Sequence, residues 1–213
     1  MLYTPPAFQQ ADLAQIRADI GAIGFATLIT MGAQEPIISH MPLVLRDDGS
    51  EFGMLIGHLA RGNPQWKLSD LTKPAVAVFM GPHAYVSPSW YPSKQADPKV
   101  VPTWNYAVVH VRGMLEVFED SDELLSELTS LTEKHEQRVR SHWQVSDAPR
   151  DFLVRQTKGI VGIRIKIQAF EGKSKLSQNR AAGDQANVKA MLEASGAASD
   201  RDVAAAMARV AKP

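Results

Sequence analysis

The sequence predicts a mainly β fold of the α+β class: an antiparallel barrel with peripheral helices and a C-terminal helical tail. Two observations carry this. Between residues 24 and 80, four β-rich runs follow one another at close spacing, joined by turns rather than regular helical crossovers. Longer helical patterns are confined to residues 9–21, to a stretch beginning at Asp120 and to the Ala-rich end of the chain.

The elements follow in order. Residues 9–21 predict a helix, with Leu13, Ile16 and Ile20 on one face and Gly21 closing it. Gly24–Met31 and Pro36–Leu45 predict two strands, and Asp47-Asp48-Gly49 a hairpin turn into a third at Phe52–Leu59. Asn63 caps a short helix through Leu68, with Pro64 at its first position. Ala75–Met80 is short and apolar, a buried strand. An irregular stretch is then expected from Gly81 to about Pro102, with Pro82, Pro88, Pro92, Pro98 and Pro102 spaced along it. Val108–Phe118 resumes as strand. Asp120 caps a helix, with Glu123 completing a capping box and Leu124, Leu128, Leu131 and His135 on its apolar face. Asp147 and Pro149 start another short helix, and Ile160–Phe170 alternates as a half-buried strand. The tail is helical in two pieces, Gln185–Ala194 and Asp200–Val210, broken at Gly196.

Composition removes several functions. The chain of 213 residues contains no cysteine, so disulfides, thiolate metal sites and a cysteine nucleophile are excluded. Lys+Arg and Asp+Glu are both 23, a balance that argues against strong non-specific nucleic-acid binding. The N-terminus lacks a signal-peptide pattern, and no apolar stretch approaches the roughly 20 residues that span a bilayer, so a cytoplasmic protein is expected. The six histidines have no metal-ligand spacing, and no metal is expected.

Three segments could carry chemistry. In Gly57–Pro64 a strand runs into a helix start, where His58, Arg61 and Asn63 could hold an anion; an ordinary capped turn has the same pattern. The second spans Tyr85 to Tyr106. Its aromatics, Tyr85, Trp90 and Trp104 among them, are stiffened by prolines and could cover a flat ring, while Ser87, Ser89, Thr103 and Asn105 bond its polar edge. The third is Lys173–Arg180, where Lys175, Ser177, Gln178 and Arg180 suit a carboxylate, a phosphate or a ring carbonyl; a solvated helix start would read similarly.

At these segments the sequence resembles the PaiB-type family of flavin-mononucleotide-binding negative transcriptional regulators. The matching strings are Tyr3-Thr4-Pro5-Pro6-Ala7-Phe8, Gly57-His58-Leu59-Ala60-Arg61 with Asn63-Pro64-Gln65-Trp66, Gly81 through Tyr91, Val101 through Tyr106, and Gly172-Lys173 with Lys175 through Arg180. The resemblance implies an antiparallel split β-barrel related to pyridoxamine-phosphate oxidase, with FMN as cofactor at the interface of a homodimer. It implies a barrel domain over residues 1–180 and a helical extension over 181–213, packed on the same domain or on the dimer partner. It also maps the flavin phosphate onto His58, Arg61 and Asn63, and leads one to expect a large residue, commonly Trp, where this chain has Ser174.

Three roles compete: a flavin protein with a redox or sensory role, a repressor that binds DNA directly, and a binder of haem or another planar ligand through His83 or His110. For the second, the 200–210 helix has few base-reading side chains and two acids that repel phosphate, so a packing or dimerisation helix is the better reading.

Overall fold

Eight strands form one sheet in this computed structural model, which describes residues 1–210; the tail's last residues, 211–213, lie outside the described residues. Seven follow the order β3-β2-β6-β7-β8-β5-β4, and β1 pairs with β8. They are β1 Gln9–Gln10, β2 Phe25–Met31, β3 Pro36–Pro42, β4 Val44–Arg46, β5 Met54–Ala60, β6 Ala75–Val86, β7 Thr103–Phe118 and β8 Ile160–Lys175. The helices are α1 Leu13–Ile23, α2 Gln65–Leu68, α3 Ser121–Val139, α4 Arg150–Thr157, α5 Ala182–Glu193 and α6 Ala198–Val210. The fold is an antiparallel split barrel with peripheral helices. Among the described residues no helix is long and apolar enough to cross a membrane.

The chain divides into two compact units. One comprises residues 1–19, 80–110 and 171 onward; the other comprises Ile20–Phe79 and Val111–Phe170. In the latter, β2 and β3 form a hairpin in the register Phe25↔Pro42 to Met31↔Pro36, and β5 lies against β8 from Met54↔Lys166 to Ala60↔Ile160. Alternation along these strands sends Leu28, Leu55, Ile163 and Ile165 into the core, all fully buried. On the opposite face, Ile56 and Phe118 pack under Leu124 of α3, with Val44 and Ile160 at the margin.

Gly162 makes that packing close. A Cβ there would overlap the Phe118 ring, so only glycine lets the ring lie against the strand. Gly162→Ala is therefore expected to cost about 1–3 kcal/mol, read as a lowered denaturation midpoint; an unchanged midpoint would mean that Phe118 moves aside freely.

In the other unit, α5 and α6 supply Val188, Leu192, Val203, Ala204, Ala206 and Met207 to a core shared with Ala84, Val86, Tyr91 and Leu176. The tail thus spends its apolar face on packing in its own unit.

Several boundaries differ from the sequence expectation. The first helix begins at Leu13, because Gln9 and Gln10 pair with Lys173 and Gly172 as β1. It closes at Gly24, whose φ of +66° suits glycine and whose N–H donates to Ile20 O, and not at Gly21. The strand expected over 36–45 breaks at Leu43, which is buried and donates its N–H to Gly24 O. The capping box at α3 is half formed: Asp120 accepts the N–H groups of Asp122 and Glu123, but the Glu123 carboxylate pairs with Arg164. The largest difference is at residues 81–86, expected as irregular chain and found as strand, and β7 starts at Thr103 rather than at Val108. Gly81-Pro82 reads as a break, yet Gly81 is needed because a Cβ there would stand 3.0 Å from Ala107 O.

Candidate functional site

The site is built where three long strands end in one unit. The end of β6 carries His83 and Tyr85, the start of β7 carries Thr103 and Trp104, and the end of β8 carries Lys173 and Lys175. Period-two alternation puts His83 with Tyr85 on one face of β6 and Lys173 with Lys175 on one face of β8, while Lys175 reaches the Thr103 hydroxyl and the Trp104 carbonyl at the start of β7. Tyr85 and Trp104 meet edge to face at 6.2 Å between centroids, and His83 lies 6.1 Å from Trp104. Tyr85 and Trp104 remain 47% and 53% exposed, unusual for large rings with a core available.

Beside this wall Lys175 donates to Thr103 Oγ1 and, at 2.7 Å, to Trp104 O. An ammonium has three N–H, so one is left. Burial pushes the Lys175 pKa below the ordinary 10.5, and the neighbouring charges of Lys173 and Arg180 push it further. Lys173 is 6% exposed, donates to Tyr3 O at 2.9 Å and stands over the rings of Tyr3 and Tyr106. Arg180 stacks on Tyr91 at 4.5 Å. None of the three cations has an ion pair among the described residues. Like charges gathered without an acid are stable only if something negative or strongly dipolar joins them.

Other expected residues serve the frame. Asn105 is fully buried and exchanges hydrogen bonds with Ser177, Nδ2 donating to Oγ at 3.0 Å and Oγ donating to Oδ1 at 3.1 Å. This pair holds Ser177 at φ +67°, a left-handed conformation that a non-glycine residue adopts at a cost. Gln178 accepts from Leu176 N and donates to Ser174 O, so it closes the turn after β8. Ser87 accepts the Ser89 N–H and bonds its hydroxyl, capping the short 3-10 turn Pro88–Trp90. Trp90 packs against the helical core and accepts from Asn187 through its carbonyl.

His58, Arg61 and Asn63 belong to the other unit, and each is engaged there. His58 Nδ1 lies 3.1 Å from Glu127 Oε2, a carboxylate only 2% exposed whose second oxygen has no partner. Arg61 donates to Lys158 O at 2.8 Å, to Ile160 O at 3.0 Å and to Glu119. Asn63 accepts from Gln65 N at 2.9 Å and donates to Ser39 Oγ at 2.8 Å. Three of the five guanidinium N–H groups are spent and an acid adjoins them, so Arg61 first of all ties its turn to β8. Arg61→Ala is expected to cost about 1–2 kcal/mol of stability. A fall in flavin mononucleotide affinity with the denaturation midpoint unchanged would instead mark Arg61 as a phosphate ligand.

His83 and Lys173 stood outside the flavin-binding residues expected from the sequence: His83 was considered only as an axial ligand, and Lys173 only as the first residue of the Lys173–Arg180 run. The Lys173-x-Lys175 spacing was the available signal, hidden while the segment read as a helix start rather than a strand end. Of the histidines considered for an axial ligand, His83 is exposed against Trp104 and His110 Nδ1 lies 4.0 Å from Glu171.

Known proteins resemble this chain in sequence and in fold. Residues 2–169 match the family model described as "Putative FMN-binding domain". The chain is 35% identical over 192 residues to the protease synthase and sporulation protein PAI 2 of Bacillus subtilis, covering 90% of this chain and 89% of that protein. Among solved structures, the FAD and heme binding protein from Mycobacterium smegmatis has a TM-score of 0.58 at 15% identity, covering 84% of this chain and 78% of that one. The conserved hypothetical protein Rv2991 from Mycobacterium tuberculosis has a TM-score of 0.58 at 12% identity, covering 84% and 92%. The chain belongs to the PaiB-type family of FMN-binding split-barrel proteins, with flavin mononucleotide as its cofactor.

Proposed function

We propose that this protein has a redox or sensory role, acting in the cytoplasm as a homodimer with the flavin at the subunit interface. The observation that carries the reading is the cation group Lys173, Lys175 and Arg180, without an acid, beside the exposed faces of Tyr85 and Trp104. When bound, flavin supplies reversible electron transfer. The chain's own residues set its conditions. Tyr85 and Trp104 cover the flat face of the ring and exclude water from it. Lys175, oriented by Thr103 and the Trp104 carbonyl, directs its remaining N–H to the polar edge of the ring. Positive charge there favours whichever form of the ring is more negative, and so raises the tendency to accept electrons.

Two further observations support the reading. Phe25, Met31 and Ile38 lie exposed on the β2–β3 hairpin, and β3 is an edge strand partnered by β2, a surface suited to a second copy of the chain. The Bacillus subtilis relative is named for protease synthesis and sporulation, which supports a regulatory output.

The test is the visible spectrum of the purified protein with the released cofactor identified by mass. Flavin bands and the mass of flavin mononucleotide are expected. A colourless protein that takes up no added flavin mononucleotide, or a haem Soret band in its place, would overturn the reading. Sedimentation as a monomer with flavin bound would overturn its interface component.

A further inference from the structure

A second cavity lies in the same unit as the aromatic wall. It is bounded by the N-terminal segment, the end of β8 and helices α5 and α6, and has a volume of about 630 Å³. That falls within the range of roughly 300–1,000 Å³ typical of small-molecule sites. Among the candidate flavin residues only Gln178 lines it, and both ends of that carboxamide are tied to backbone.

Its lining carries charges of both signs, on two exposed side chains. Asp12 and Arg209 both line the cavity, yet neither is in an ion pair among the described residues. Asp12 uses one oxygen, Oδ1, to accept the N–H groups of Ala14 and Gln15 at the start of α1, which leaves Oδ2. A carboxylate and a guanidinium on one cavity are complementary to a ligand that carries both charges. A simple anion would be repelled by Asp12 and a simple cation by Arg209. On the same lining, Gln185 donates its amide to Arg180 O and keeps Oε1, and Ser174 is 8% exposed. The small side chain of Ser174 leaves the cavity open at the end of β8.

We infer that this cavity binds a small zwitterion of amino-acid size, its carboxylate on Arg209 and its ammonium on Asp12. The ligand's polar body meets Gln185 and Ser174. The inference does not depend on the flavin reading, because none of its charged residues belongs to the flavin wall.

Calorimetric titration of the purified protein tests it, with L-glutamine, 6-aminohexanoate, propionate and propylamine as probes. The two zwitterions separate a short charge spacing from a long one. One of them is expected to bind at least about 10-fold more tightly than either single-charge probe, since each contributes a charge-assisted contact that the others lack. Arg209→Gln and Asp12→Asn are each expected to weaken it by about 10-fold or more. Asparagine caps a helix as well as aspartate, so a loss in Asp12→Asn reports the charge and not an unfolded α1. Ser174→Trp, which fills the cavity, is expected to abolish binding. Zwitterions that bind no better than propionate or propylamine would overturn the inference, as would binding that survives both charge substitutions. Flavin mononucleotide affinity, measured in Arg209→Gln and Asp12→Asn, stays unchanged; a parallel fall would make the cavity part of the flavin site and would also overturn the assignment.

Discussion

Replacing Lys175 by alanine is expected to weaken flavin binding by about 10- to 100-fold, the worth of one charge-assisted hydrogen bond to a buried partner. The ammonium is set between Thr103 Oγ1 and the Trp104 carbonyl and is repelled by Lys173 and Arg180. Such a group is poorly satisfied until a ligand joins it. The pH dependence follows with a definite sign. Burial, then Lys173 and Arg180, hold its pKa below 10.5, so the charge is lost earlier than in a free lysine as pH rises. Affinity in the native protein is therefore expected to fall on the alkaline side, beginning below 10.5, and Lys175→Ala to remove that fall. Fluorescence titration across pH reads both effects. A flat profile in the native protein would detach Lys175 from the flavin.

The second large effect is on stability. His58→Ala is expected to cost up to about 3–5 kcal/mol, because it strands Glu127, a carboxylate on the buried face of α3 with one oxygen already unpartnered. Replacing both partners together, His58→Leu with Glu127→Leu, restores most of the loss, since a well-packed apolar pair is often as stable as a buried polar one. Chemical denaturation of the three variants gives the comparison. A double variant no more stable than His58→Ala would mean that the pair specifies the position of α3 rather than merely satisfying a charge.

The sequence makes the strand-rich core legible because burial there follows period two without interruption: Ile163, Ile165 and Ile167 are buried as their alternation requires. The tail is legible for a similar reason, since Val203, Ala206 and Met207 mark one helical face. What misleads is punctuation. Gly81-Pro82 looks like a strand end, but the glycine serves a close approach to Ala107, and the strand runs on to Val86. This matters for the site, because Tyr85, Thr103 and Trp104 then stand on rigid strands and not on a loop. The aromatic and cationic residue types were readable, but their division of labour was not. Asn105 and Gln178 have the right chemistry for a ligand, yet their hydrogen bonds are spent on Ser177 and on the Leu176 and Ser174 backbone. Arg61 has the right chemistry for a phosphate, yet its partners are two carbonyls and Glu119, which lie about a hundred and about sixty residues away along the chain. Such long-range pairings leave no local signature.

In the proposed site the ring of the flavin rests on Tyr85 and Trp104 with its polar edge on Lys175. That placement is tested by the affinity of flavin mononucleotide and of riboflavin, which has the same ring and no phosphate, for the native protein and for Lys175→Ala. Lys175→Ala is expected to weaken both ligands by a similar factor, because both carry the ring edge. A variant that binds both as tightly as the native protein does, or that loses only flavin mononucleotide, would contradict it.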